Sequence, residues 1–193
     1  DARRRTGGGA RLRRADLALV TSEPLLASKR ALQPNTHLVP NGVDFAAFAA
    51  ALAQPQEPAA LASVPHPRLG FVGAINEKVD LRLLSALAAA NRAWQIVLVG
   101  PVTLRYNLDD LAALRSQPNV HFIGALPVTQ VPHAIAACDL CLMPYKINAW
   151  THHISPLKLY EYLAVGRPIV SAAIPAVTES RELAPLVSVA HDA

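Results

Sequence analysis

A lysine and a glutamate three residues apart, Lys158 and Glu161, lie within a segment that carries strong helix boundary signals. Ser155 is a type of residue that caps helices, and Pro156 suits the first helical position because its fixed φ is helical. Gly166 is suited to the left-handed residue that ends a helix. Side chains three positions apart share a helix face. The spacing therefore predicts a helix that presents a cation and a carboxylate close to its N-terminus.

The start of this helix is suited to an anion. The amides of Leu157 and Lys158 have no partner inside the helix, and the helix dipole favours negative charge there. Lys158 adds a positive charge, and Glu161 can accept hydrogen bonds from a ribose, so the chemistry fits a nucleoside diphosphate. The opposite face, with Leu159 and Tyr162, needs a core. A capped surface helix whose charged pair faces solvent explains the same spacing, and both interpretations stay open.

Apolar strand patterns alternate with helical patterns before and after this helix. Strands are predicted at residues 15–22, 36–40, 68–73, 94–99, 120–123, 140–143, 169–172 and 186–189, and helices at 23–32, 44–53, 80–91, 108–115, 131–137 and 177–183. This alternation predicts an α/β fold with a Rossmann-like, doubly wound parallel sheet. Ligands of such sheets bind beyond the carboxyl ends of the strands. We expect one crevice surrounded by the loops Gly73-Ala74, Gly100-Pro101, Gly124-Ala125 and Pro144-Tyr145.

Two nucleotide-binding motifs are missing from the chain. Neither G-x-G-x-x-G nor G-x-x-x-x-G-K-[ST] occurs, which argues against a dinucleotide site and a P-loop. The polar segment 146–154 offers hydrogen-bonding groups beside the expected anion site. A surface loop whose Trp150 packs on the domain is the alternative. The adjacent pair His152 and His153 diverges and has no flanking carboxylate, so no metal site is expected.

Composition and charge exclude several classes of protein. Hydrophobic residues make up 52% and charged residues 17% of the 193 residues, which is typical of a globular protein and not of a disordered one. No apolar run is long enough for a transmembrane helix. The basic arm, residues 1–14, holds six arginines and one aspartate, so the rest of the chain is nearly neutral. A solvated connector and a contact with anionic lipid or nucleic acid remain alternatives, although no aromatic residue is interleaved for stacking on nucleic acid.

The two cysteines, Cys138 and Cys141, have the Cys-x-x-Cys spacing of some metal and redox sites. No second pair is present, and residues three apart on a strand face opposite sides. We therefore predict that both are small buried hydrophobic residues.

Six segments in a fixed order resemble the donor-binding half of GT-B glycosyltransferases, in particular the retaining family 4 (group 1). In that family a glutamate precedes a short apolar turn, then Gly-x-Pro and a hydrophobic strand, as do Glu161, Gly166 and Pro168 here. The other five segments are residues 39–44 (VPNGVD), 71–73 (FVG), 97–100 (VLVG), 119–124 (NVHFIG) and 137–144 (ACDLCLMP). The resemblance covers most of residues 16–190.

The resemblance implies a nucleoside-diphosphate sugar as co-substrate, with no cofactor and no metal. The implied binding residues are Glu161 for the ribose; Ser155, Leu157, Lys158, Gly73 and Lys78 for the diphosphate; His153, Asn148 and Thr151 for the sugar; and Gly124, Ala125 and Leu126 for the base. Two positions depart from the family pattern: its first glutamate falls on His153, and its arginine after the Val-Gly turn is Ala74. These departures affect the contacts to the sugar and to the leaving group. No catalytic residue is assigned.

The resemblance also implies a domain organisation and a biological setting. Residues 15–43 would end an N-terminal acceptor-binding domain that is otherwise missing, and residues 44–193 would form the donor-binding domain. A saccharide or lipid-linked acceptor and a cytoplasmic location are implied, with cell-envelope or exopolysaccharide synthesis as the setting and peripheral contact with the inner membrane face left open. A nucleotide-sugar 2-epimerase of similar architecture and a non-catalytic nucleotide- or anion-binding module remain alternatives, and nucleic acid is not an expected partner.

Overall fold

The computed structural model describes residues 9–190. The first eight residues of the predicted basic arm lie outside the described residues, and residues 9–13 are helical. The strands of the described chain are β1 (Ala18–Val20), β2 (Thr36–Leu38), β3 (Arg68–Val72), β4 (Gln95–Val99), β5 (Val120–Gly124), β6 (Leu140–Met143), β7 (Ile169–Ala172) and β8 (Ser188–Ala190). The helices that follow β1 are α1 (Glu23–Arg30), α2 (Phe45–Ala53), α3 (Leu81–Ala90), α4 (Leu108–Arg115), α5 (Val131–Ala136), α6 (Leu157–Val165) and α7 (Pro175–Thr178).

Six strands form one parallel sheet in the order β5-β4-β3-β6-β7-β8. From β3 the chain first moves outward through β4 and β5, and then returns to place β6 on the other side of β3. The order therefore reverses between β3 and β6, which is the point where doubly wound sheets bind ligands. The predicted α/β class and the parallel sheet are confirmed.

The sheet is buried between two groups of helices. Helix α2 packs against α5 and α6, whereas α3 packs against α4. Right-handed crossovers place the two groups on opposite faces of the sheet. Side chains such as Phe71, Ile96 and Met143 are fully buried between them. This packing fixes the strand ends that surround the crevice.

The first two strands form a separate two-stranded parallel sheet. Helix α1 begins after Ser22, whose hydroxyl caps it by accepting the N–H of Leu25 at 3.4 Å. The same hydroxyl donates to the carbonyl of His153 at 2.8 Å, and the Asn41 side-chain amide donates to the carbonyl of Ser155 at 2.7 Å. The unit at residues 15–43 is thus hydrogen-bonded to the segment that leads into α6.

Helix α6 matches the prediction at its C-terminal end and differs at its start. Gly166 ends the helix with a φ of 83°, as expected. The predicted cap at Ser155 is wrong: the N-cap is Pro156, whose ψ of 116° is extended, and the first helical residue is Leu157. Ser155 therefore lies one residue too early for its hydroxyl to reach the N–H groups that a capping side chain accepts.

One further prediction about the chain path is corrected. The helix predicted at 177–183 is only the short α7, which begins earlier at Pro175, followed by a 3-10 turn at Ala184–Leu186. The Ser180 hydroxyl accepts the N–H of Leu183 at 3.2 Å, and such a local bond competes with helix continuation. Strand β8 begins at Ser188, close to its predicted position.

Cys138 and Cys141 are free and fully buried, as predicted. Burial raises the pKa of the Cys138 thiol to about 12 and raises the pKa of Cys141 as well. A side-chain carbon at Gly70 would collide with the Cys138 sulfur, so this thiol fills the space against β3. Both cysteines are therefore packing residues.

Candidate functional site: an anion-binding crevice at the strand ends

A crevice of about 230 Å³ opens where the strand order reverses. Its floor consists of the turns that follow β3 and β4. The Gly73 N–H donates to the Val99 carbonyl at 2.6 Å, and the Gly100 N–H donates to the Gly124 carbonyl at 2.7 Å. These bonds join the three neighbouring strand ends in a row.

Gly73 and Gly100 allow the two turns to pack closely. Their φ angles are 138° and 137°, a region that residues with side chains rarely adopt. A side-chain carbon at Gly100 would collide with the Gly73 carbonyl, and one at Gly73 would collide with the ammonium of Lys158. The missing side chain at Gly73 therefore makes room for the Lys158 ammonium above the turn.

The N-terminus of α6 forms the wall above this floor. Leu157, Lys158 and Glu161 all line the crevice, as their predicted common face requires. Among the described residues, no side chain caps the helix, and the N–H groups of Leu157 and Lys158 have no partner within it. These amides and the positive end of the helix dipole are available to an anion.

Lys158 is half-buried at the centre of the crevice. Its Nζ atom lies 5.2 Å from the centroid of the Phe71 ring, a cation–π contact, and it forms no ion pair with another described residue. Burial lowers the pKa of Lys158, Glu161 works in the opposite direction, and Lys78 adds a repulsive contribution. The ammonium is thus a cation that a bound anion would stabilise.

Glu161 lies one helical turn beyond Lys158. Burial raises the pKa of its carboxyl group, and the positive charge of Lys158 offsets part of that rise. Among the described residues that line the crevice, Glu161 is the single carboxylate. It is an acceptor suited to the hydroxyl groups of a ligand whose anionic part lies at Lys158.

The apolar wall of the crevice is formed by Ala125 and Leu126 after β5, together with Val131 of α5. Gly124 lies behind them as the end of β5 and accepts the Gly100 N–H. These residues belong to the predicted base-binding loop. The loop lies at the side of the crevice where β4 and β5 end. Pro101 lines the crevice as expected for the Gly100-Pro101 loop, whereas Val131 lines it and was not predicted, because it belongs to no motif.

The loop Pro144-Tyr145, also expected at the crevice, lines another cavity. Strand β6 is followed by a turn back along residues 76–79, in which the Asp80 N–H donates to the Pro144 carbonyl at 2.7 Å and the Lys146 N–H to the Lys78 carbonyl at 2.8 Å. The pair faces an apolar cavity of about 640 Å³ beside α3 and β6–β8. The prediction for this loop is therefore wrong.

Six of the predicted binding residues do not line the crevice in the described chain: Gly124, which lies behind the apolar wall, and Ser155, Lys78, Asn148, Thr151 and His153. Ser155 lines a different cavity of about 300 Å³ between the two-stranded unit and α6. Lys78 places its Nζ atom 5.3 Å from the centroid of the Trp150 ring, in a cation–π contact. The Lys78 charge still lowers the pKa of Lys158, so the two cations are close enough to interact.

The side chains of the three predicted sugar-binding residues form hydrogen bonds within the loop that carries them. The buried Thr151 hydroxyl donates to the Lys146 carbonyl at 2.5 Å and accepts the Asn148 N–H at 3.0 Å. The Asn148 side-chain carbonyl accepts the N–H of Thr151 at 3.0 Å, and His153 Nδ1 lies 2.8 Å from the Ala149 carbonyl. These bonds give the segment 146–154 a fixed shape, and contact with a sugar stays a prediction.

Between residues 9 and 190, no three His, Cys, Asp or Glu side chains are grouped closely enough to hold a metal ion. In the same part of the chain, no helix combines the length and the apolar character needed to cross a membrane.

The fold and the crevice define a class of protein: a Rossmann-like α/β domain with a crevice where the strand order reverses. Comparisons with known proteins give the family. The sequence model of the glycosyl transferases group 1 family matches residues 66–190. The chain belongs to this family, as its sequence motifs indicated.

One related sequence and two solved structures illustrate the relationship. TuaH of Bacillus subtilis, a putative teichuronic acid biosynthesis glycosyltransferase, is 31% identical over 150 residues, which is 76% of this chain and 36% of TuaH. Anabaena HepE in complex with UDP and glucose matches with a TM-score of 0.63 and 20% identity, over 86% of this chain and 46% of HepE. The C-terminal domain of the group 1 glycosyl transferase LpcC from Francisella tularensis matches with a TM-score of 0.50 and 18% identity, over 70% of this chain and 72% of that domain.

These matches confirm the predicted fold, that of the C-terminal half of a GT-B glycosyltransferase. The chain spans about a third of the length of TuaH and just under half the length of HepE.

Proposed function

We propose that this chain is the nucleotide-sugar donor-binding part of a glycosyltransferase. The complete enzyme would transfer a sugar from a nucleoside-diphosphate sugar to a saccharide or lipid-linked acceptor in cell-envelope or exopolysaccharide synthesis. The observation that carries the proposal is the arrangement of Lys158 over the Gly73 turn, beside the uncapped start of α6, with Glu161 one turn away. The names of TuaH and of the HepE complex support the setting and the ligand class.

The arrangement suggests how the diphosphate would be held. Negative charge grows on the diphosphate as the bond to the sugar breaks, so fixed amides and cations lower the barrier by stabilising that charge. The Leu157 and Lys158 amides and the Lys158 ammonium have this role, with Lys78 as a second cation at longer range. Because these groups supply the charge, the mechanism needs no metal, and we infer retention of the anomeric configuration as in the family it resembles.

The ribose, the base and the sugar of the donor would each contact a different group of residues around the diphosphate. Glu161 would accept hydrogen bonds from the ribose, and the base would lie against Ala125 and Leu126 beside Gly124. Asn148, Thr151 and His153 would present their loop to the sugar. Ser155 would contribute through its backbone, because its carbonyl accepts the Asn41 side-chain amide just before α6 begins.

The acceptor side is assigned to the unit at residues 15–43 and to the rest of an N-terminal domain. Nucleotide binding, without turnover, is the property we expect of this part alone. The basic arm would give the enzyme a peripheral contact with the anionic inner face of the membrane, and the protein would act in the cytoplasm. An epimerase needs several acid and base groups at its site, and the described crevice holds a single carboxylate. The epimerase alternative is therefore disfavoured.

Calorimetric titration of this chain with UDP, GDP and ADP, without metal, tests the proposal. We expect saturable binding to one of them, which also identifies the base. The Glu161→Ala variant should weaken that binding by roughly 1–3 kcal/mol, because it loses charge-assisted hydrogen bonds. Glu179→Ala, which removes a carboxylate from the other cavity, is the matched control and should leave binding unchanged.

Two results would contradict the proposal. Folded protein that binds none of the three nucleotides would overturn the assignment to nucleotide sugars. Unchanged affinity in folded Glu161→Ala protein would remove this carboxylate from the site.

A further inference from the structure

The hydroxyl of Tyr162 contacts the end of β3 where that strand loses one of its neighbours. Strand β3 pairs with β6 only at Leu69 and Gly70, but it pairs with β4 as far as Val72. The Val72 N–H donates to the Tyr162 hydroxyl oxygen at 2.9 Å, and the hydroxyl lies 3.5 Å from the Val72 carbonyl. The phenol thus takes the place of a strand partner for Val72.

A buried hydroxyl is suited to this double contact. Tyr162 is fully buried, and burial raises its pKa well above the usual value, so the phenol keeps its proton. A neutral hydroxyl can accept from an N–H and donate to a carbonyl at the same time. The unpaired backbone groups of Val72 would otherwise be buried without a partner.

The contact joins the two elements that form the anion site. Tyr162 follows Glu161 and lies one turn after Lys158 in α6, while Val72 directly precedes Gly73. This bond therefore links α6 directly to the residue before the Gly73 turn. Lys158 already fills the space that a side chain at Gly73 would need, so a small displacement of either element changes how an anion fits.

We propose that Tyr162 is a positioning residue, whose hydroxyl fixes the N-terminus of α6 relative to the Gly73 turn and so sets the geometry that receives a nucleoside diphosphate. The inference rests on the proposed function. It adds a role that the sequence did not reveal, because the pattern assigns Tyr162 only to the buried face of the helix. The sequence feature that could have indicated this role is a tyrosine on the core face of the helix, since a buried tyrosine hydroxyl needs a hydrogen-bond partner.

The test compares Tyr162→Phe with Tyr160→Phe, which removes the same hydroxyl from the same helix on the side of the other cavity. Each variant is titrated with UDP, GDP, ADP and the matching nucleosides at a temperature well below the midpoint of its thermal unfolding. We expect Tyr162→Phe to raise the Kd of the preferred diphosphate by up to about tenfold, because binding must then restore a helix position that the lost internal hydrogen bond had fixed. The affinity for the nucleoside should stay the same, and Tyr160→Phe should bind like the unaltered chain.

A second measurement separates positioning from general stability. Leu114→Ala opens a cavity in the core at α4, away from the crevice lining, and should reduce thermal stability without changing the diphosphate-to-nucleoside ratio. Amide hydrogen exchange at Val72 and Gly73 should become faster in Tyr162→Phe and not in Tyr160→Phe. A Tyr162→Phe protein with lower stability but an unchanged ratio would show a merely structural tyrosine and overturn the inference.

The two proposals fail in different ways. If the unaltered chain binds none of the nucleotides, the proposed function fails and the inference fails with it. If the unaltered chain binds and Tyr162→Phe binds equally well, the inference alone is overturned.

Discussion

Lys158 and Glu161 have opposite pKa shifts with the same first cause, their partial burial in the crevice. Each charge is disfavoured by the loss of water, and each is partly restored by the other. A ligand with an anionic group for the lysine and hydroxyl groups for the glutamate relieves both costs at once. At the scale of residues, the crevice therefore offers groups for an anion and for hydroxyl groups, the two features that the proposed nucleotide sugar combines.

The raised pKa of Glu161 predicts how nucleotide-sugar binding depends on pH. The ionised carboxylate is the better acceptor for ribose hydroxyls, so affinity for a nucleotide sugar with the preferred base should fall as the pH decreases through a window that begins above 4.5. The phosphates of a nucleotide sugar are diesters and do not titrate there. Calorimetry across this pH range should show the decrease, and Glu161→Gln should bind more weakly and without that pH dependence.

The stability of the unliganded protein should show the opposite trend. Because the pKa of Glu161 is raised in the folded state, the folded protein binds more protons than the unfolded chain between the two pKa values, and stability decreases as the pH rises through that window. Asp139 and Glu77 have lowered pKa values, so their contributions are lost as the pH falls below their usual ranges. A Glu161→Gln protein that keeps the same slope above pH 4.5 would contradict the assignment.

At the scale of elements, the sequence predicted most of the strands and helices because their patterns are local. The strands β3, β4 and β6 are apolar runs that end at glycine or proline, and α3 has a cap at Asp80 followed by regularly spaced apolar residues. The helix at 177–183 failed because one hydroxyl, that of Ser180, competes with the backbone. A serine permits that competition, but whether it occurs depends on the surrounding packing.

The site was predictable where it depends on a helix face or on a turn directly after a strand, and unpredictable where it depends on the path of a longer loop. Leu157, Lys158 and Glu161 share a face by spacing alone, and the structure places all three in the crevice. The path of Pro144-Tyr145 depends on hydrogen bonds to a distant segment, residues 76–79, which no local pattern reveals. The contact between Tyr162 and Val72 spans 90 positions and is likewise set by the tertiary fold.

The turn after β3 gives a prediction about backbone geometry. Gly73→Ala should destabilise the protein by about 1–3 kcal/mol, because its φ of 138° is strained for alanine. The same methyl group would displace the Lys158 ammonium and weaken diphosphate binding. Chemical unfolding and calorimetric titration measure the two effects. Gly42→Ala is the control, since its side chain would meet no atom within 4 Å, and equal behaviour of the two variants would contradict the prediction.

At the scale of the whole molecule, the strand order determines where the site lies. The reversal between β3 and β6 brings the β3, β4 and β5 turns to one side and the start of α6 to the other. Residues separated by 88 positions, Gly73 and Glu161, thereby line one crevice. The two-stranded unit is tied to the entry of α6 through Ser22 and Asn41, on the side away from the crevice lining. Occupation of the crevice should therefore stabilise contacts from many parts of the chain.

This organisation predicts that a bound nucleotide raises the thermal stability of the whole chain. A ligand at one hundred times its Kd adds about 2.7 kcal/mol to the free energy of unfolding, which corresponds to a rise of about 5–10 °C in Tm for a chain of this size. The preferred nucleoside diphosphate should produce this shift in calorimetric or fluorescence unfolding, and added salt should reduce it because Lys158 and the helix dipole are screened. The matching nucleoside at the same concentration should shift Tm much less, because it lacks the anion. A shift of equal size from inorganic phosphate would instead indicate a site for any anion, in which the ribose contact of Glu161 has no part.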